Sequence, residues 1–146
     1  MPEQETLERA EQDKREGKAA STQAGEFVHE EIEHVRKGKH GARSTKQAIA
    51  IGLSKARRAG VKLPAKKGTS KETKEQAARD IRKGKSAGKT KKSAKRSRAT
   101  LAALKREGRS AASKASLSRQ ARTAAAKRSA ASRSRAAKKA ARTRKK

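Results

Sequence analysis

The sequence predicts an all-α protein: short helices, a small N-terminal helical module, and a long basic tail that is largely disordered or conditionally helical. Three observations carry that reading. Hydrophobic residues make up 31% of the 146 residues against 39% charged, and Phe27 is the one aromatic. Helix-favouring stretches are punctuated by glycine and by Ser/Thr caps. Charge is polarised: residues 1–35 hold ten acids and four bases, a net −6, and residues 36–146 carry +35, giving +29 in all. A chain of low hydrophobicity and high net charge buries too little apolar surface to offset the entropy of ordering all of it.

Taken in order, the spacing predicts helices over 3–16, 21–37, 44–59, 69–83, 93–107 and 110–141, with boundaries good to about 2–4 residues. The first is acidic. The second puts Phe27, Val28, Ile32 and Val35 on one stripe. The third puts Ile49, Leu53 and Ala56 at helical spacing, with Ile51 beside them, and Val61 and Leu63 follow. These two helices and the tail to Leu63 are expected to be the segment that shares an apolar face. Beyond Pro64 the large apolar residues are Ile81, Leu101, Leu104 and Leu117, too few for a second core. Four Arg-x-Gly-Lys/Arg elements, at Gly17, Gly38, Gly84 and Gly108, read as helix stops, because glycine suits the left-handed position past a helix end and cations suit the last turn. Ser44…Gln47 and Thr69…Glu72 have capping-box spacing. The chain thus divides into an acidic helix (1–20), the module (21–64), a linker and basic helix (65–83) and the tail (84–146).

The tail carries 23 bases and one acid, Glu107. Alanine, lysine and arginine favour helix, while like charges at i,i+4 oppose it. Phosphate neutralisation would remove the opposition, so helix is expected to grow on binding a polyanion.

Catalytic chemistry is not expected. His29 and His34 are five apart, not the four that places two imidazoles on one helix face, and solvated histidines are favoured over a metal shared by His29 and Glu33. Gly84-Lys85-Ser86 and Gly88-Lys89-Thr90 imitate the end of a phosphate-binding loop but lack its upstream glycine and preceding strand. No catalytic residue, metal, cofactor or small-molecule substrate is expected. Cysteine is absent, and no apolar run approaches a membrane span. The acidic start lacks the pattern of a signal peptide, so a cytoplasmic, nucleoid location is expected.

Residues 38–60, from Gly38-Lys39-His40-Gly41-Ala42-Arg43-Ser44 through Ala56-Arg57-Arg58-Ala59-Gly60, with Phe27–Ile32 before them, resemble a family of small, basic, uncharacterised bacterial proteins. The resemblance covers about residues 25–64. The tail is loosely similar to bacterial linker-histone-like proteins. The resemblance implies a bacterial source and DNA binding, and it brings no catalytic residue.

The charge points to non-enzymatic binding of duplex DNA with little sequence preference, by phosphate neutralisation and counterion release, and so to nucleoid compaction. A +22 tail matches about 22 phosphates, or about 11 base pairs. The candidate DNA contacts are Lys46, Lys55, Arg57, Arg58 and Lys62 on the module. On the tail they are Lys91, Lys92, Lys95, Arg96, Arg98, Arg119, Arg122, Lys127, Arg128, Arg133, Arg135, Lys138, Lys139, Arg142 and Arg144. Aromatic scarcity favours duplex over single strand, since single-strand binders stack bases on aromatic rings. Structured RNA, as on a ribosome, is the alternative partner. A second alternative is an adaptor whose acidic helices dock a protein. The acidic arm is expected to compete with phosphate for the tail. A membrane surface is disfavoured, because the tail lacks a large apolar face.

Overall fold

The computed structural model describes residues 1–86 and 93–145. Among them the chain is all-helical: α1 (Gln4–Arg15), α2 (Ala20–Arg36), α3 (Thr45–Arg58), α4 (Lys71–Lys85), α5 (Ala94–Lys105), a 3-10 turn (Ser110–Ala112), α6 (Lys114–Ala126) and α7 (Ala130–Arg144). Helix α2 lies at the centre, with α1 and α3 against it. Helix α4 packs on α3, and the 3-10 turn rests on α2 and α3 with α6 beside it.

Glycine ends the first three helices as expected at two of the four repeated elements. Gly17 and Gly38 have φ of 70° and 72°, and Gly60 ends α3 at 103°. Each end closes with paired backbone bonds, as in Lys39 N–H to His34 carbonyl and Gly38 N–H to Val35 carbonyl. The other two elements differ. Gly84 lies inside α4, where a Cβ would stand 2.4 Å from the Arg57 carbonyl, so it serves close helix contact and not a stop. Gly108 follows α5 without a positive φ.

The α2–α3 contact also departs from the expected stripe. Phe27, Ile32 and Val35 are buried on α2 as read. On α3 the buried line is Ala48, Gly52 and Ala56, spaced by four, with Thr45 at its start. Ile49, Ile51 and Leu53 are only half-buried and flank it. Small residues let two helix backbones approach, and the larger side chains then fill the sides of the seam. The resulting core has two parts. Ala10, Ala24, Phe27, Ala56 and Val61 bring α1, α2 and α3 together. Ile32, Val35, Ala42 and Ala48 form the other part with Ala111 and Ala112 of the 3-10 turn, and Leu117 of α6 packs against them.

That second cluster corrects the expectation that the module is closed at Leu63. The tail returns to it. Thr45 Oγ1 donates to the Ala111 carbonyl (2.6 Å), Arg36 Nε to the Ala112 carbonyl (3.0 Å), and the Gly41 and Ala42 amides to the Leu104 and Gly108 carbonyls (2.9 and 3.0 Å).

Disorder of the tail is not confirmed: its described residues are helical or in short turns, the helical alternative of the expectation. The serines at 93, 113 and 129 each accept from the amide three residues on and start α5, α6 and α7. Caps at Ser113 and Ser129 also split the single helix expected over 110–141. The start expected at Thr69 falls one residue later, with Ser70 accepting from the Thr73 amide. Ser44 caps α3 as read, while Gln47 Oε1 accepts from the Arg43 amide.

Candidate nucleic-acid interface

The cations divide by whether a carboxylate holds them. Of the five named on the module, Lys55 is half-buried, 3.2 Å from Glu30 Oε1 and 2.7 Å from Glu31 Oε2. Arg57 Nε donates to the Leu63 carbonyl at 2.7 Å. Arg58 Nε lies 2.8 Å from Asp80 Oδ1. These three hold the fold together, although the exposed parts of the Arg57 and Arg58 guanidinium groups retain charge. Lys46 and Lys62 are exposed.

Asp80 shows how α4 is clamped. It is fully buried and accepts from Ser54 Oγ (2.7 Å), Arg58 Nε (2.8 Å) and Gln76 Nε2 (3.3 Å). Burial alone would raise its pKa, but the Ser54 and Arg58 hydrogen bonds and the Arg58 charge together hold it below the ordinary aspartate value.

The acidic arm pairs within its own half. Arg9 meets Glu5 and Glu26, Lys18 meets Asp13 and Glu16, and Arg36 meets Glu33. Lys39 and His34 hydrogen-bond to Glu3 and pull its carboxyl down to about 2. Among the described residues no acid of the arm pairs with a tail cation.

The tail cations are different. Among the described residues, no ion pair involves a cation of α5, α6 or α7. Lys95, Arg96 and Arg98 on α5, Arg119 and Arg122 on α6, Lys127 and Arg128 between helices, and Arg133, Arg135, Lys138, Lys139, Arg142 and Arg144 on α7 are all exposed. Lys91 and Lys92 lie outside the described residues. At about 100° per residue, Arg135, Lys138, Lys139 and Arg142 fall within about 100° of arc on α7, and Arg133 and Arg144 lie on the other side.

The start of α3 and the side of α6 enclose an open groove of about 440 Å³. Its rim carries Arg43, Lys46 and Arg119, and its lining includes the hydroxyls of Ser44, Thr45, Ser110, Ser116 and Thr123. The first amides of α3 face this end with no intrahelical acceptor, and the helix dipole adds partial positive charge. Lys46 and Arg119 were legible as bases. Arg43 was not singled out, because nothing local links it to a helix 76 residues away. A second cleft of about 370 Å³ is lined by Lys37, Lys105 and Arg109, with Glu107 and His40.

The imitations of catalytic motifs resolve simply. His29 is exposed, and Glu33 is held by Arg36 at 2.9 Å. Gly84-Lys85-Ser86 ends a helix instead of starting one. Gly88-Lys89-Thr90 lies outside the described residues. No described helix is long and apolar enough to cross a membrane. No curated protein and no solved structure matches the chain. Residues 4–67 are similar to a family of unknown function (DUF6496), a match that spans α1 to α3 and the loop beyond.

Proposed function

We propose that the protein is a non-enzymatic binder of duplex DNA with little sequence preference, acting in the nucleoid of a bacterium in the manner of a histone-like protein. The observation that carries this reading is the set of exposed, carboxylate-free cations on α5, α6 and α7, of which Arg119 also lines the groove beside Lys46 and beside Arg43, whose Nε lies 3.7 Å from Glu107 Oε1. The mechanism is phosphate neutralisation. Each phosphate contact releases condensed counterions, so affinity falls steeply with salt. The groove adds donors: two side-chain forks, one ammonium, the Ser44, Ser110 and Ser116 hydroxyls and a helix N-terminus suit a phosphate, while the Thr45 and Thr123 hydroxyls are already given to the Ala111 and Arg119 carbonyls. Cations spread over several helices would let one molecule contact two segments of duplex, which would favour compaction.

Fluorescence anisotropy across a salt series tests the reading, with duplex DNA, single-stranded DNA and structured RNA in parallel. About ten engaged phosphates give a log–log slope of roughly −9 on duplex. A slope shallower than about −3 would show that charge is not the main contribution and would end this mechanism. Tighter binding to structured RNA than to duplex would move the assignment to ribosomal RNA.

A further inference from the structure

We infer that Glu31, His34 and His40 form a binding site for a divalent transition-metal ion of the zinc type, which clasps the end of α2 to the loop that follows it. Each residue offers one ligand atom, and these atoms lie within 4.8 Å of one another. Gly38 makes the convergence possible. Its left-handed turn ends α2 and swings His40 back over the last turn of the helix, where the rings of His34 and His40 stand 6.1 Å apart at 84°. Two imidazoles and one carboxylate suit zinc, with a fourth position left open. Bonds of about 2.0–2.2 Å set ligand atoms roughly 3.3–3.6 Å apart, so small side-chain rotations close the site.

The hydrogen bonds around the cluster favour a shared cation. His40 Nδ1 lies 3.0 Å from the Gly41 carbonyl oxygen. A carbonyl only accepts, so Nδ1 is the donor in this contact and Nε2 is the ring nitrogen left to face Glu31. This is the outer-shell arrangement that fixes a ligating histidine. Nε2 faces Glu31 Oε1 at 3.1 Å. Glu31 is fully buried, yet neither of its carboxylate oxygens receives a hydrogen bond. A metal ion seated between Nε2 and Oε1 would give that buried carboxylate oxygen the partner it lacks. Lys55 Nζ stands 2.7 Å from Oε2, but its hydrogen bond goes to Glu30. It balances charge on the far oxygen and leaves Oε1 to the metal. Glu3 Oε1, 3.0 Å from His34 Nε2 and bonded also to Lys39, lies outside the converging set and helps to orient the His34 ring, so the fourth position stays open.

The test is titration of the full chain, stripped with chelator, with Zn²⁺ by calorimetry and with Co²⁺ by visible absorption. The expected result is saturation at one equivalent, with the intense visible bands of four-coordinate cobalt. His34→Gln and His40→Gln should each lower affinity by about 100-fold or more, above the loss from outer-shell changes. His29→Gln should leave it unchanged. Circular dichroism of each variant checks the fold, and the wild-type cobalt spectrum stands whether or not a variant folds. Absence of saturable one-equivalent uptake would overturn the assignment. So would uptake that survives both His34→Gln and His40→Gln, or a cobalt spectrum of six-coordinate type.

Discussion

At Gly52 the backbone of α3 leaves no room for a methyl group. A Cβ there would lie 2.7 Å from Val28 Cα and 3.0 Å from the Phe27 carbonyl oxygen, both backbone atoms of α2. Helix propensity alone says Gly52→Ala should stabilise by about 1 kcal/mol. The contact says the opposite, because overpacking against backbone typically costs about 1–3 kcal/mol. The expected outcome in urea unfolding is a net loss, and a gain would show that α2 and α3 are further apart. Asp80 makes a second prediction at this scale. Asp80→Asn removes the charge from bonds to Ser54, Arg58 and Gln76 and should cost about 2 kcal/mol at neutral pH, the scale of a hydrogen bond to a charged group. The sign with pH follows from its lowered pKa. The carboxylate's contribution is complete above the unfolded aspartate value, near 3.8, and is lost as pH falls through the lower folded value. The stability difference between wild type and Asp80→Asn should therefore be flat above about pH 5 and shrink below about pH 4. A difference constant down to pH 2 would contradict it. Single residues were unevenly legible in the sequence. Phe27, Ile32 and Val35 announced themselves by size and spacing. His34 and His40 did not, since their meeting depends on the hand of one glycine turn and no helical period marks a separation of six.

The elements were more legible than their docking. Five of the six expected helices appear with small shifts at their ends, because alanine, lysine and arginine set propensity and serine and glycine set limits. The sixth divides in two, because Ser113 and Ser129 compete as caps within a sequence where serine also occurs mid-helix. The docking of the 3-10 turn was hidden for a different reason. Ala111 and Ala112 bury little area each, and their hold on α2 and α3 comes from carbonyls that accept from Arg36 and Thr45. Backbone acceptors leave no trace in the residue pattern. Thr45→Val keeps the shape and removes the donor, leaving the Ala111 carbonyl unsatisfied at a buried position. The cost should be about 1–3 kcal/mol, with faster amide exchange in the 3-10 turn and in the first turns of α3 and α6. Unchanged exchange there would mean the turn is held by other contacts. The same docking changes what truncation does. A chain cut after residue 64 loses the cover over Ile32, Val35 and Ala48, so it should melt below a chain cut after residue 126, which keeps that cover. Equal melting temperatures would restore the view of a self-sufficient module.

The whole molecule is organised by the separation of its charges. The acids of residues 1–35 are largely committed to cations nearby, and three of them, Asp13, Glu30 and Glu31, are buried in the fold. The tail's cations have no such partners among the described residues. Polarity of charge along the chain was plain in the sequence. What it did not disclose was that the acidic half is a scaffold, because pairing such as Glu30 with Lys55 depends on how α2 and α3 meet. This bears on whether the arm competes with phosphate for the tail. Neutralising Glu30 and Glu31 would test the fold instead of the competition, so the variant must use surface acids. Glu5, Glu8 and Glu11 of α1 are exposed, and Glu5 alone among them pairs with a base, in a surface bridge to Arg9 of little energetic weight. Changing all three to Gln raises the net charge by three without touching the core. If the arm repels phosphate or attracts the tail, the triple variant should bind duplex about two- to fivefold tighter in low salt, where the Debye length reaches about 30 Å at 0.01 M. The gain should vanish near 0.15 M, where screening cuts that range to about 8 Å. Circular dichroism should show the same helix content as the parent. Tightening that persists at high salt would point to a direct structural effect of α1, and no tightening at low salt would assign the acidic half to the scaffold alone.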